Sequence, residues 1–401
     1  MSEASAVAPQ KVLVYMLAVF CCCGMTLYQF VTSPLDSFIP KQPSVDNSTF
    51  ANVDELFTFH FHLDVAVDFD DKAIGGSVTH DLYPVSPTDK VVLDIWDMDI
   101  ESVELMPPNA AQALRDGQTV QPLGNLDFKT YELNPTIGQT LGIQLPGLST
   151  GIMSIRVNYR TQPTSMALSW MTPAQTAGGK LPYLFSQCES INCRSVAPLM
   201  DTPAIKTTYS ANVVAKNDFV VKMSANETSV AAFNTTHNVS SFRCDIRIPS
   251  YLMAIVVGDL EYRSLGRRVG VITEPSQMDK VAAELDTMEE LLDTAEQYLT
   301  PYIWGNYTVV VLPPSFPFGG MENPLLTFAS PTIIVGDKSQ VYVATHEIAH
   351  SWTGNDVTCR DWENFWLNEG FTVFSERKVS GILHGHDFAQ VEALLGNSTL
   401  W

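Results

Sequence analysis

The residues best placed to do chemistry are two histidines four apart, His346 and His350, with Glu347 directly after the first. The stretch around them, "VATHEIAHSW", is otherwise uncharged, although the chain spends only eight histidines over 401 residues. On a helix, positions i and i+4 project from one face a single turn apart, so both imidazoles can reach one divalent metal ion. Glu347 lies beside that face, where it can act on a metal-activated water while staying outside the coordination sphere. Downstream, Glu369 begins a second periodic run, "FWLNEGFTVFSER", and offers a carboxylate as third ligand. Two histidines and one glutamate, with no thiolate, suit a catalytic zinc with one open position better than a closed structural site. Glu376, two turns beyond Glu369, can orient a ligand histidine from behind; an ordinary helix-surface acid is the competing reading.

Upstream lies "FPFGGMENP", in which Gly319 and Gly320 let a peptide approach the main chain and pair with it, and Glu322 adds a carboxylate. Phe318 beside it reads first as core packing and second as a pocket wall. These groups need a scaffold that mixes strand and helix. Residues 277–299 carry apolar positions at three- and four-residue spacing and are expected to form one amphipathic helix. A strand at 308–312, a Pro/Gly loop, a strand at 326–335 and two helices should follow.

The first half of the chain reads differently. "LFTFHFHLDVAVDFD" puts Phe57, Phe59, Phe61, Leu63, Val65, Val67 and Phe69 on one face, the period of a half-buried strand. His60 and His62 fall on the polar face and are read as exposed strand histidines, not a metal site. Further strand-like runs at 91–96, 153–159, 218–224 and 251–257 make an all-β sandwich or saddle, with a domain boundary near Leu260.

With 45% hydrophobic residues the chain can bury a large core, and a formal charge of −21 excludes nucleic acid as a partner. Val12–Val31 holds twenty residues without a formal charge, long enough to cross a bilayer. The expected organisation is a cytoplasmic tail (1–11), a transmembrane signal anchor (12–31), a linker (32–52), a β domain (53–260) and a catalytic domain (261–401). That makes a single-pass type II membrane protein, the alternative being secretion after signal cleavage. Asn-x-Ser/Thr sequons at Asn47, Asn226, Asn234, Asn238, Asn306 and Asn397 all follow the apolar run, which places the rest on the lumenal or extracellular side. Cys188, Cys193, Cys244 and Cys359 are left outside the span, and spacing does not pair them.

Gly319-Gly320-Met321-Glu322-Asn323, then His346-Glu347-Ile348-Ala349-His350, then Glu369 after eighteen intervening residues, together resemble the aminopeptidase N family of zinc metallopeptidases. "PSFPFGGMENP", "HSWTGN", "FWLNEG" and "LPYLFSQCESINCRSVAPLMDTPAIK" are similar in particular to the leukotriene A(4) hydrolase and aminopeptidase B branch. The resemblance implies an α+β multidomain fold, with a β saddle followed by a thermolysin-like α/β domain. It implies one Zn2+ on His346, His350 and Glu369, and Glu347 as general base. Glu322, with Gln187 and Glu189, would hold a peptide's free α-ammonium, and the segment from Gly319 to Asn323 would line the substrate. Anchoring that cation at a fixed distance from the metal selects the first peptide bond, so the expected reaction removes N-terminal residues. One departure stands out: the family places an oxyanion-stabilising tyrosine several dozen residues beyond the third ligand, and this chain's last tyrosine is Tyr342. The catalytic domain therefore reads as truncated. A catalytically weak zinc- and peptide-binding homologue is the alternative, and a lipid epoxide hydrolase a minor one. An open catalytic domain would also expose apolar surface and favour a homodimer.

Overall fold

The computed structural model of the chain describes residues 46–398. The apolar run Val12–Val31 lies outside them, and among the described residues no helix is long and apolar enough to cross a membrane. The described chain is multidomain α+β, with β structure first and helices concentrated at the end.

An eight-stranded sheet runs in the order Asn226–Ala232, His237–Pro249, Lys206–Lys216, Leu56–Asp68, Ala73–Pro84, Met153–Thr161, Met98–Met106 and Gly124–Asn125. The alternation in Leu56–Asp68 does what it must: Phe57, Phe59, Phe61, Leu63, Val65 and Val67 are all buried. Its polar face is buried at Thr58, His60 and His62 and opens to solvent only further along, which corrects the reading of His60 and His62. This strand is internal to the sheet, and its parallel neighbour sets Thr208, Ser210 and Asn212 opposite His60, His62 and Asp64. The result is a hydrogen-bonded ladder, with His60 Nδ1 to Thr208 Oγ1 and His62 Nδ1 to Ser210 Oγ each at 2.7 Å. Helix α1 (Ala110–Arg115) packs against this strand and the next.

His80 is fully buried on the adjacent strand, between Thr58 Oγ1 (3.2 Å) and the Pro198 carbonyl (3.0 Å). Burial pushes its pKa down to about 4, against the pull of the Pro198 carbonyl, and burial with nearby Arg115 pushes His60 down to about 3. Both folded values lie below the unfolded one, so the unfolded chain binds more protons in the interval between them. Stability is full above the unfolded histidine range and falls as pH drops towards 4, by about 1.4 kcal/mol per pH unit per histidine. Denaturant midpoints measured from pH 7 to pH 4.5 should show this loss, and His80→Gln should flatten the slope by one histidine's share. An unchanged slope would count against the buried neutral state.

A four-stranded sheet (Val220–Met223, Ile255–Gly258, Tyr183–Ser186, Leu168–Met171) leads into the segment that carries Gln187 and Glu189. Arg194 fixes that segment from within the core. Its guanidinium, with no exposed side-chain surface, donates to Asp201 (Nε to Oδ2, 2.9 Å) and to the carbonyls of Ser48, Asp201 and Ile137. Asp94, 3.8 Å from the guanidinium, is pushed up to about 6 by burial despite that neighbour.

The remaining chain builds a five-stranded sheet ordered Glu261–Ser264, Val269–Thr273, Tyr307–Val311, Thr327–Ala329, Gly320–Met321, with parallel pairing inside and antiparallel edges. Two expectations are corrected here. The helix expected at 277–299 is broken into α2 (Met278–Glu284) and α3 (Met288–Tyr298), because the Glu284 carboxylate is drawn inwards to accept from Gly336 and Lys338 amides at 2.8 Å. The strand expected at 326–335 stops at Ala329. Pro331 lacks an amide to donate, and Ser330 caps a short 3-10 turn through the Thr332 amide. Helices α4 (Tyr342–His350), α5 (Trp366–His384) and α6 (His386–Ser398) complete the described chain. Phe374, Ile382, Phe388, Val391, Leu394 and Leu395 on α5 and α6 are largely exposed.

Candidate metal centre

Helix α4 buries Ala344, Thr345, Ile348 and Ala349 and packs against α3 and α5, with His346 and His350 turned towards the start of α5. Glu369, in the first turn of α5, meets them there: its carboxylate oxygens lie 3.4 Å from Nε2 of each imidazole. The two Nε2 atoms are 3.1 Å apart, and ligand atoms of the three side chains all lie within 4.8 Å of one another. The geometry thus brings together the three residues that the sequence singles out.

Each imidazole is held from its other nitrogen. His346 Nδ1 meets Glu376 Oε2 at 2.9 Å, so Glu376 is not a surface acid. Burial works against charge on His346, but the hydrogen bonds to Glu369 and Glu376 outweigh it and raise the pKa to about 10. His350 Nδ1 faces the Thr353 carbonyl (2.9 Å) and Thr372 Oγ1 (3.0 Å). Thr372 was not foreseen, although its place one turn after Glu369 on the same face of α5 was a usable signal. Gly354 is obligatory: at φ +137°, a Cβ there would sit 2.9 Å from His350 Nδ1. Removing the Glu376 carboxylate should therefore loosen the site. Glu376→Gln is expected to weaken divalent-metal affinity about 10- to 100-fold, read by competition with a chromophoric chelator; equal affinity would deny Glu376 that role.

Edge strand Gly320–Met321 runs beside α4. A side chain at Gly320 would overlap the Glu347 carboxylate, so this glycine makes room for the acid. Gly319 is exposed, and its missing Cβ would lie 3.6 Å from Val343 Cγ1. Phe318 is 47% exposed rather than packed in the core, which corrects the first reading of it. Met321 accepts from Gln187 Nε2 at 3.2 Å, which joins this edge to the first domain. Asn323 is buried where the loop turns, its carbonyl accepting from Leu326. Asn355, another unforeseen residue, donates to the Glu322 carbonyl at 2.7 Å and so ties that loop to the turn after α4.

Acceptors outnumber donors here. Gln187, Glu189, Glu322 and Glu347 each bury a side-chain oxygen with no hydrogen-bond partner. Burial, together with the charges of Glu322, Glu369 and Glu347, pushes Glu189 up to about 9. Burial likewise holds Glu347 well above the usual carboxylate range, against the pull of His346. Such a surplus of buried oxygens is costly unless cations complete it. The donor set of two imidazoles and a carboxylate fits zinc, and the oxygens of Glu189 and Glu322 fit an ammonium. Four buried free thiols, Cys188, Cys193, Cys244 and Cys359, take no part in the trio.

Comparison with known proteins agrees with this geometry. Residues 57–252 match the Peptidase M1 N-terminal domain and residues 283–399 the Peptidase family M1 domain. Leucine aminopeptidase 2 of Yarrowia lipolytica is 39% identical over 361 residues, which cover 90% of this chain and 53% of that protein. Leukotriene A-4 hydrolase of Xenopus laevis is 40% identical over 354 residues, covering 88% and 56%. The solved structure of native yeast LTA4 hydrolase superposes with a TM-score of 0.79 at 34% identity, covering 92% of this chain and 56% of the other. The chain spans about half the length of these relatives. Two adjoining family domains, matched over most of its length and carrying a two-histidine, one-glutamate centre, make this chain a member of peptidase family M1, the family of zinc metallopeptidases.

Proposed function

We propose that the chain is a zinc-dependent aminopeptidase that removes residues from peptides with a free N-terminus. The observation that carries this reading is the placement of unpartnered Glu322 and Glu189 oxygens beside the trio of His346, His350 and Glu369. Bound on those three donors, zinc supplies Lewis-acid polarisation of the scissile carbonyl and of the attacking water. The chain's own residues do the rest. Glu322, Glu189 and Gln187 hold the substrate ammonium, so that only the first peptide bond reaches the centre. Gly320 and Met321 pair with the substrate as an added strand. Glu347 takes a proton from the attacking water and returns it to the leaving amine. We take the part from about Leu260 onwards as thermolysin-like, and place the enzyme on the lumenal or extracellular side of a membrane.

Purified full-length chain assayed on aminoacyl fluorogenic substrates, with and without a chelator, tests the reading. Chelator-sensitive turnover supports it. Zinc and peptide bound without turnover would favour a binding protein instead. Gly320→Ala gives a second check: the added methyl displaces the Glu347 carboxylate, and a base moved by about 1 Å should lower kcat about 100-fold with metal content unchanged. A kcat equal to wild type would mean that Glu347 does not need its place against the edge strand.

A further inference from the structure

The hairpin formed by Asn226–Ala232 and His237–Pro249 is one end of the eight-stranded sheet. Three of the chain's sequons fall on it within thirteen residues, at Asn226, Asn234 and Asn238. All seven residues of the outer strand are exposed, and Val230 and Phe233 present 56% and 62% of their surface. An end strand like this offers a row of unpaired amides and carbonyls to any other strand that meets it, and two exposed apolar side chains strengthen the attraction. Soluble proteins blunt such edges with charge, proline, bulges or cover. One bulge is present, between Glu227 and Ser229, Glu227 is the strand's single charged residue and is paired with Lys222, and no proline or lysine occurs in 226–232.

The three asparagines are not equivalent. Asn226 pairs with Arg243 on the face opposite to buried Phe242 and is exposed. Asn234 sits at the exposed tip. Its Oδ1 accepts from the Thr236 amide (2.8 Å), the Thr236 hydroxyl (3.0 Å) and the His237 amide (2.9 Å), which leaves Nδ2 without a partner among the described residues. Asn238 pairs with Ala215, shares its face with buried Ser240 and Phe242, and is only half-exposed. A bulky group on its side chain would be directed along the core-facing side of the sheet.

We infer that Asn226 and Asn234 carry N-linked glycans that cover the open edge of the β domain, and that Asn238 does not. In the transfer, the asparagine Nδ2 forms a bond to the anomeric carbon of an oligosaccharide carried on a lipid diphosphate. The bond from that carbon to the diphosphate oxygen breaks, the lipid diphosphate leaves with the electron pair, and Nδ2 gives up one proton. A lumenal position of residues 32–401, expected from the apolar run Val12–Val31, supplies the compartment where such donors act. The inference does not depend on peptidase activity.

Full-length chain made in a secreting eukaryotic cell line, treated with peptide-N-glycosidase in heavy-oxygen water and mapped by mass spectrometry, should show labelled aspartate at 226 and 234 and none at 238. Asn226→Gln and Asn234→Gln should each shift electrophoretic mobility by one step, and Asn238→Gln by none. Unmodified Asn226 and Asn234, or label at Asn238 equal to theirs, would overturn the assignment. Enzymatic removal of the glycans from the folded protein should produce larger, concentration-dependent species in size-exclusion chromatography with light scattering. An unchanged elution would overturn the covering role.

Discussion

Glu347→Gln is expected to lower turnover by a factor on the order of 10²–10⁴ while the zinc content and the folded structure stay as they are. The glutamate is buried, one carboxylate oxygen fits against Gly320 and the other has no hydrogen-bond partner. Glutamine keeps the shape of that contact and removes the capacity to accept a proton. The residue lies next to the trio of His346, His350 and Glu369 without belonging to it, so zinc held on that trio should not depend on it. Steady-state kinetics with an aminoacyl fluorogenic substrate, beside elemental analysis of the same sample, would separate the two effects. A glutamine variant within a few-fold of wild type would remove Glu347 from the chemistry.

Glu322→Ala should act on binding instead. Its buried carboxylate keeps an oxygen without a partner, 4.0 Å from His350 Nδ1, while Asn355 holds its backbone carbonyl. A charged hydrogen bond to the substrate ammonium contributes about 1.5–3 kcal/mol, so KM for free-amine substrates should rise by about 10- to 100-fold. N-acetylated peptides, which present no ammonium, should bind the variant and the wild type alike. An unchanged KM would leave the amine with Glu189 and Gln187 alone.

The convergence of His346, His350 and Glu369 was legible in the sequence because helix geometry converts spacing directly into proximity: His346 and His350 share a face, and Glu369 lies in the first turn of the next helix to pack on it. Glu376 was legible as a possibility, and the structure does bring it against His346. Gln187 and Glu189 were not, except through resemblance. They come from another sheet, and no periodicity ties positions more than 130 residues apart to Met321 or Glu322. The misread parts share a cause. Alternation shows that His60 and His62 face away from the apolar side, but not that a parallel neighbour with Thr208 and Ser210 will enclose them. Apolar spacing at 277–299 is equally consistent with one helix or two, and the choice is made by Glu284 turning inwards to a loop fifty residues later.

Every catalytic role proposed above requires His346, His350 and Glu369 to hold one ion. Elemental analysis of the folded full-length chain, purified without added metal, should find one zinc per molecule, and Glu369→Ala should lose most of it without unfolding. A folded chain with no stoichiometric zinc, or a Glu369→Ala variant that retains a full complement, would contradict the account.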